Sequence, residues 1–245
     1  MRQYPELSFV ADQGRQYVVG GLWRHREDIG ELIEVSSGSY RAALVDRVVA
    51  SLVTRNARLL VLDFGFDVGD SRFCRENGFS VVERIVEYDR PSGPISGHDS
   101  QLMVRAYAPE DRDVLLQLDH DAFPWLWWNS PTEWDTYLRT SGVHVLVGVE
   151  EQTIVGYAGV TVRGKAGHLD RLAVRGKRQG RGYGAALLAQ SLYYMQGRGA
   201  HKVSLTTQDD NYRSQALYER FGFRRSRWTY EILGKWLVDP EDMNS

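Results

Sequence analysis

Several features that would each point to a function class are scarce or missing. Among 245 residues there is one cysteine, Cys74, which excludes an internal disulfide and a thiolate metal cluster and makes a reducing compartment the simplest setting. Neither sign of charge prevails: 30 basic and 32 acidic side chains leave a net charge of −2. This balance provides no general attraction to nucleic acid or to an anionic membrane surface, so neither is expected as a partner. No window approaches the ~18 consecutive apolar residues of a membrane span. The start, Met1 to Glu6, has no apolar run of the secretory kind, and a cytoplasmic protein is expected. The six histidines show no His-x-x-x-His spacing, so no metal is assigned. The 42% hydrophobic residues suffice for the core of one large or two small globular domains.

Two nucleotide signatures are also missing from the most informative stretch, residues 169–188. A Walker loop needs Gly-Lys-Ser/Thr, whereas Gly176-Lys177 is followed by Arg178; a dinucleotide fingerprint needs Gly-x-Gly-x-x-Gly, whereas Gly180, Gly182 and Gly184 alternate. The stretch reads as a strand over 169–174, a glycine-rich turn, and an apolar helix opening at Ala185. The first N–H groups of a helix have no internal partner and the helix dipole is positive there, so the turn suits an anion. Arg175, Lys177, Arg178 and Arg181 add positive charge around it.

The segment Gln179-Gly180-Arg181-Gly182-Tyr183-Gly184 fits the pattern Gln/Arg-x-x-Gly-x-Gly/Ala. A strand follows over 203–206, then Asn211, then Ala216-Leu217-Tyr218-Glu219-Arg220-Phe221-Gly222-Phe223, which is similar to an Ala-x-x-x-Tyr-x-x-x-Gly-Phe signature. In this order and spacing, the three elements resemble the GNAT acyltransferase superfamily. The resemblance implies an α/β fold, acetyl-CoA as co-substrate and direct transfer of its acetyl group to an amine. It further implies that Leu172, Ala173 and Val174 pair with the pantetheine arm, their N–H groups serving the oxyanion. Gln179, Gly180, Arg181, Gly182, Tyr183, Gly184 and Ala185 would hold the pyrophosphate, with Asn211 nearby, and Tyr218 would be the general acid for the thiolate.

Residues 118–124 are similar to amino-terminal alanine acetyltransferases, which often carry a glutamate where this chain has Thr206. Threonine cannot act as that base, and Asp170 is the next candidate, acting directly or through water; an ordinary ion pair is the alternative for it. Trp125, Trp127 and Trp128 fall where the family builds its acceptor pocket, unless they pack against the first half of the chain. Two further readings stay open: an acyl-CoA-binding regulatory module without turnover, and a peptide amino terminus as acceptor.

The first half carries an echo of the second. At an offset of 144 residues, Gly78 falls on Gly222, residues 38–44 on 182–188 and residues 59–61 on 203–205. The echo predicts a hairpin over 7–11 and 16–23, strands at 32–35, 59–63 and 79–88, and helices at 39–55 and 71–76. Its turn, 36–40, is short and keeps one glycine, with Cys74 opposite Tyr218 and Asp67 opposite Asn211. The expected organisation is two GNAT-like units with mixed sheets flanked by helices. The first, 1–91, is incomplete and binds no acetyl-CoA; 92–98 is a Pro/Gly/Ser linker; 99–238 is catalytic.

Overall fold

The structure, a computed structural model, describes residues 4–62, 71–95 and 102–239. Two compact units are present, Met1–Arg84 with Tyr230–Ser245, and Ile85–Thr229. This division differs from the expected boundaries at 91 and 99, because each unit takes a strand from beyond them. Asp67 and residues 96–98 of the linker lie outside the described residues.

In the first unit, strands β1 (Ser8–Ala11) and β2 (Gln16–Leu22) form the expected antiparallel hairpin. Asp12, Gln13 and Gly14 turn it with positive φ. Strand β3 (Ile29–Val35) begins three residues earlier than periodicity suggests and pairs antiparallel with β2. It runs parallel to β4 (Leu59–Leu62), so a crossover must join them, and helix α1 (Arg41–Val53) supplies it. Leu44, Val45, Val48 and Leu52 recur on one face of α1 and bury themselves against Val18, Leu32 and Leu60. Helix α2 (Ser71–Glu76) follows, then β5 (Ser80–Pro91). Gly234, Lys235 and Trp236 close this unit by pairing antiparallel with β4.

The second unit opens with β6 (Met103–Ala106), α3 (Arg112–Ala122) and α4 (Pro131–Arg139). Helix α4 starts at Ser130, whose side chain accepts a hydrogen bond from the Glu133 N–H, and Pro131 occupies its first turn. A meander of β7 (Val143–Glu150), β8 (Thr153–Arg163) and β9 (Ala166–Val174) comes next, with β6 on its outer edge. Helix α5 (Tyr183–Gly197) crosses over to β10 (Lys202–Gln208), which runs parallel to β9. Helix α6 (Tyr212–Arg220) and β11 (Arg224–Trp236) follow. Residues 85–91 of β5 lie antiparallel to β10 over seven pairs.

Helices α3 and α4 cover one face of this sheet with Leu115, Leu118 and Trp134 against Val145, Val147 and Tyr157. The other face carries α5 and α6. Eight residues of α5 are buried, and glycines in the strands let it come close: a Cβ on Gly156 would lie 2.9 Å from Leu187, and one on Gly167 would lie 2.8 Å from Met195 Sδ. Truncating a fully buried leucine such as Leu187 to alanine costs ~2–5 kcal/mol in cores of this kind. Among the described residues no helix is long and apolar enough to cross a membrane.

Candidate active site

The site begins with an irregularity in β9. Arg171 pairs with Gly159 and Leu169 with Val160, so Asp170 is one residue more than β8 can match and forms a bulge. A bulge turns consecutive side chains toward one face and disturbs the ladder. Both effects are present. Asp170 and Arg171 both reach toward the layer of α3 and α4, Asp170 to Tyr137 and Arg171 to Asp119. The parallel pairing with β10 stops at Leu169↔Leu205, while β8 still pairs with β9 as far as Val174. Beyond the bulge, therefore, β9 and β10 part, and the peptide groups of Leu172, Ala173 and Val174 line an opening.

The opening is one wall of a cleft of about 650 Å³. Its far end is the turn into α5, where Gly180 and Gly182 both have φ near +82°, a region in which a side chain is strained. Gly182 is the residue before the first helical turn, and no side chain caps it. The N–H groups of the first turn, at Tyr183, Gly184 and Ala185, thus face the cleft without the side-chain acceptor that Ser130 gives α4 and Asn211 gives α6. Gln179 braces the turn: its Nε2 donates to the Val174 carbonyl at 2.9 Å, and its Oε1 accepts from Arg213. On the other side the cleft is bounded by Gln208, Asn211, Ser214, Leu217 and Arg220, and near its mouth by Phe123 and Pro124. The arrangement can hold a phosphate at one end and an extended chain along the exposed β9 backbone, which fits an acyl-CoA thioester.

Residues 105–223 match the acetyltransferase (GNAT) family. This segment is a GNAT acetyltransferase domain. The chain is similar to a mycothiol acetyltransferase from Acidimicrobium ferrooxidans, 27% identical over 221 residues that cover 81% of this chain and 67% of that protein. It is also similar to a putative [ribosomal protein bS18]-alanine N-acetyltransferase from Bacillus subtilis, 22% identical over 121 residues, 49% of this chain and 80% of that one. In fold it is similar to a tandem GNAT protein from the clavulanic acid biosynthesis pathway, with a TM-score of 0.60 at 12% identity, covering 94% of this chain and 82% of that chain. GNAT acetyltransferases use acetyl-CoA as co-substrate, and the protein is an acyltransferase of this type.

Of the residues expected to hold acetyl-CoA, all but one line the GNAT cleft: Leu172 to Val174, Gln179, Gly180, Gly182 to Ala185, and Asn211. Asn211 is also the cap of α6, its Oδ1 accepting from the Ser214 N–H at 3.3 Å. The exception is Arg181, which lies outside the lining and pairs with Glu150 at 3.3 Å. Glu150, at the end of β7, also takes Arg178 at 2.8 Å and the Tyr183 hydroxyl, and these partners hold its carboxyl below the usual range, the Tyr183 bond foremost. Trp125, Trp127 and Trp128 are half-buried beside the mouth and do not line the cleft; the neighbouring Phe123 and Pro124 do. Trp128 stacks on His120 at 4.8 Å and donates from Nε1 to the Phe123 carbonyl.

Tyr218 is buried under the cleft, packed against Tyr88 and Phe223 with ring centroids 6.3 and 6.0 Å away. Ser214, one turn earlier on α6, lines the cleft, and burial pushes the Tyr218 pKa up to about 12. The phenol therefore keeps its proton at neutral pH. Asp170 accepts hydrogen bonds at Oδ2 from the Tyr137 and Thr161 hydroxyls, each at 2.7 Å. Burial raises its pKa above the usual carboxylate value, opposed by these two hydroxyls and by His168 and Arg163. Asp170 does not line the cleft; it sits on β9 two residues before Leu172, which does.

A buried network behind the mouth escaped the sequence reading. Asp119, fully buried, pairs with Arg171 at 3.0 Å and accepts from the Tyr157 hydroxyl at 2.6 Å and from the Asn129 N–H and Nδ2. Arg171 also donates to the Trp127 carbonyl and Asn129 Oδ1 and covers the Phe123 ring. This ties the aromatic segment 123–129 to the bulged strand. Deleting one partner of such a buried pair typically costs ~3–5 kcal/mol. The available signal was an aspartate at apolar spacing in α3, four residues after Leu115, but its 52-residue separation from Arg171 gives no hint that they meet.

Proposed function

We propose that this protein transfers the acetyl group of acetyl-CoA directly to the primary amine of a small molecule, using the cleft of the second unit. The observation that carries the reading is the uncapped start of α5, opening onto a cleft that runs along residues 172–174 where β9 leaves β10. The first-turn N–H groups hold the phosphates, and the unpaired β9 backbone orients the thioester and stabilises the oxyanion. The amine, relieved of its proton by Asp170, attacks the thioester carbonyl; the new C–N bond forms, the C–S bond breaks, and Tyr218 protonates the departing thiolate. Tyr218 suits that role because its high pKa keeps it in the acid form, and Asp170 because its raised pKa makes it a stronger base than a surface aspartate.

A small-molecule acceptor is favoured over a peptide by the extent of the similarities. The relative named for mycothiol aligns over 81% of the chain, whereas the one named for a ribosomal protein aligns over 49%. Each unit contains the same succession of strand, helix, strand, helix, strand, from β3 to β5 and from β9 to β11. Together with the likeness to a tandem GNAT protein, this supports reading the first unit as a degenerate copy of the second. The test is thiol release from acetyl-CoA with a panel: the acceptor of mycothiol acetyltransferase, amino sugars, simple alkyl amines and peptides with a free amino-terminal alanine. Turnover confined to the peptides would overturn the small-molecule reading. Binding of acetyl-CoA with no thiol release from any member would favour the acyl-CoA-binding module that Thr206 in place of the glutamate leaves open.

A further inference from the structure

We propose that Tyr137 and Thr161 are positioning residues that clamp one oxygen of Asp170 so that the other serves as the proton acceptor. The inference rests on the reading of Asp170 as the base and goes beyond it by naming what orients and tunes that base. Three independent pieces of geometry support it. Both hydroxyls, one from α4 and one from β8, donate to the same oxygen, Oδ2, at 2.7 Å, and Oδ1 accepts neither. The bulge at Asp170 turns this side chain toward α4, which the regular alternation of a strand starting from Arg171 would not do. The third is a gap: an ideal Cβ on Gly159 would lie 2.4 Å from the Tyr137 hydroxyl, so β8 has no side chain where that hydroxyl must pass to reach Asp170.

Ordinary packing would explain a buried tyrosine with a hydrogen bond. It does not explain a strand bulge, a glycine vacancy and a second hydroxyl converging on one oxygen. The charged and titratable groups acting on Asp170 are Tyr137 from α4, Arg163 from β8 and His168 from β9, and those acting on Tyr137 are Asp170, Tyr157 from β8 and Arg171 from β9. Each clamp bond favours the carboxylate, so removing one should raise the pKa of Asp170 and move the acidic limb of kcat/KM to higher pH. The basic limb belongs to other groups and should stay.

The experiment measures kcat/KM against pH with the first amine of the panel that gives turnover, alongside a ¹³C NMR titration of the aspartate carboxyls with Asp170 assigned through Asp170→Asn. In Tyr137→Phe and in Thr161→Val the acidic limb should rise by roughly one pH unit, matched by the NMR titration, with acetyl-CoA affinity unchanged. Thr161→Ser, which keeps the hydroxyl, should restore the wild-type profile. Gly159→Ala leaves every partner in the chain but displaces the Tyr137 hydroxyl, and should move the limb in the same direction. An acidic limb that stays in place in both Tyr137→Phe and Thr161→Val while Asp170→Asn is inactive would overturn the clamp and leave Asp170 as base. Wild-type turnover in Asp170→Asn would overturn the base itself. If Tyr137→Phe does not fold, Thr161→Val and Gly159→Ala decide the question.

Discussion

The starts of α1 and α5 hold the same place in their units, after a strand and at the head of a crossover helix, yet they differ in what meets the first N–H groups. At α5 the approach is open: Gly182 precedes the helix in a left-handed conformation, no side chain caps it, and the cleft lies in front. At α1 the approach is closed by the unit's own chain. Gln16, at the head of β2, places its Oε1 3.0 Å from the Tyr40 N–H, and an ideal Cβ on Gly38 would lie 2.1 Å from that oxygen. Ser36 ties the same turn to β2, its hydroxyl accepting from the Tyr17 N–H at 2.7 Å. The connection is also shorter, residues 36–40 against 175–182. Neither helix start has a side-chain cap, but at α1 a carboxamide oxygen bonded to the Tyr40 N–H fills the turn ahead of the helix, where the α5 start leaves a cleft.

The largest test of this contrast is Gly182→Glu. It forces a side chain into a backbone with φ +82° and brings a negative charge to the anion site. Acetyl-CoA binding should fall by more than ~100-fold by calorimetry, while the circular dichroism of the folded protein is preserved. Unchanged affinity would remove the open helix start from the account. Next comes Tyr218→Phe, which keeps the packing on Tyr88 and Phe223 and deletes the hydroxyl. If the phenol supplies the thiolate's proton, kcat and kcat/KM should drop together by ~10²-fold, with acetyl-CoA affinity little changed. A loss confined to KM would mean that the hydroxyl only helps binding.

Smaller effects probe the surroundings of each start. Glu150 holds Arg178, Arg181 and Tyr183 at the edge of the α5 turn. Glu150→Gln should release the two arginines to the bound phosphates and tighten acetyl-CoA by less than ~10-fold, an advantage that shrinks as salt rises. Weaker binding in the variant would show instead that Glu150 holds the turn in its working shape. The smallest change is expected from Gln16→Ala, which removes the acceptor of the Tyr40 N–H ahead of α1 and should cost ~0.5–1.5 kcal/mol by chemical denaturation, as loss of one hydrogen bond does. Stoichiometry should remain one acetyl-CoA per chain, because the shortened turn still lacks the glycines that let amides converge. Two molecules bound to Gln16→Ala would show that the glutamine alone separates the two units.

What could be read from the sequence were the features set by local backbone chemistry. Alternating glycines at 180, 182 and 184 before an apolar helix dictate a tight turn and unpaired N–H groups whatever surrounds them, so the turn into α5 was legible residue by residue. The hairpin of β1 and β2, two apolar runs around a turn, and the apolar face of α1 followed from local pattern in the same way. The tertiary structure decided everything that depends on register or on partners distant in sequence. The extra residue at Asp170 parts β9 from β10 and turns Asp170 toward Tyr137; a one-residue slip leaves no mark on the hydrophobic pattern, because both faces of that strand are covered. The Asp119–Arg171 pair, the Gln16 acceptor at α1 and the seating of residues 85–91 beside β10 arise only when the sheets form. The sequence alone determined the glycine turn and the helix that follows it; the pairing of strands decided where the Asp170 carboxyl points, because an oxygen's direction is set by the neighbours that bind it.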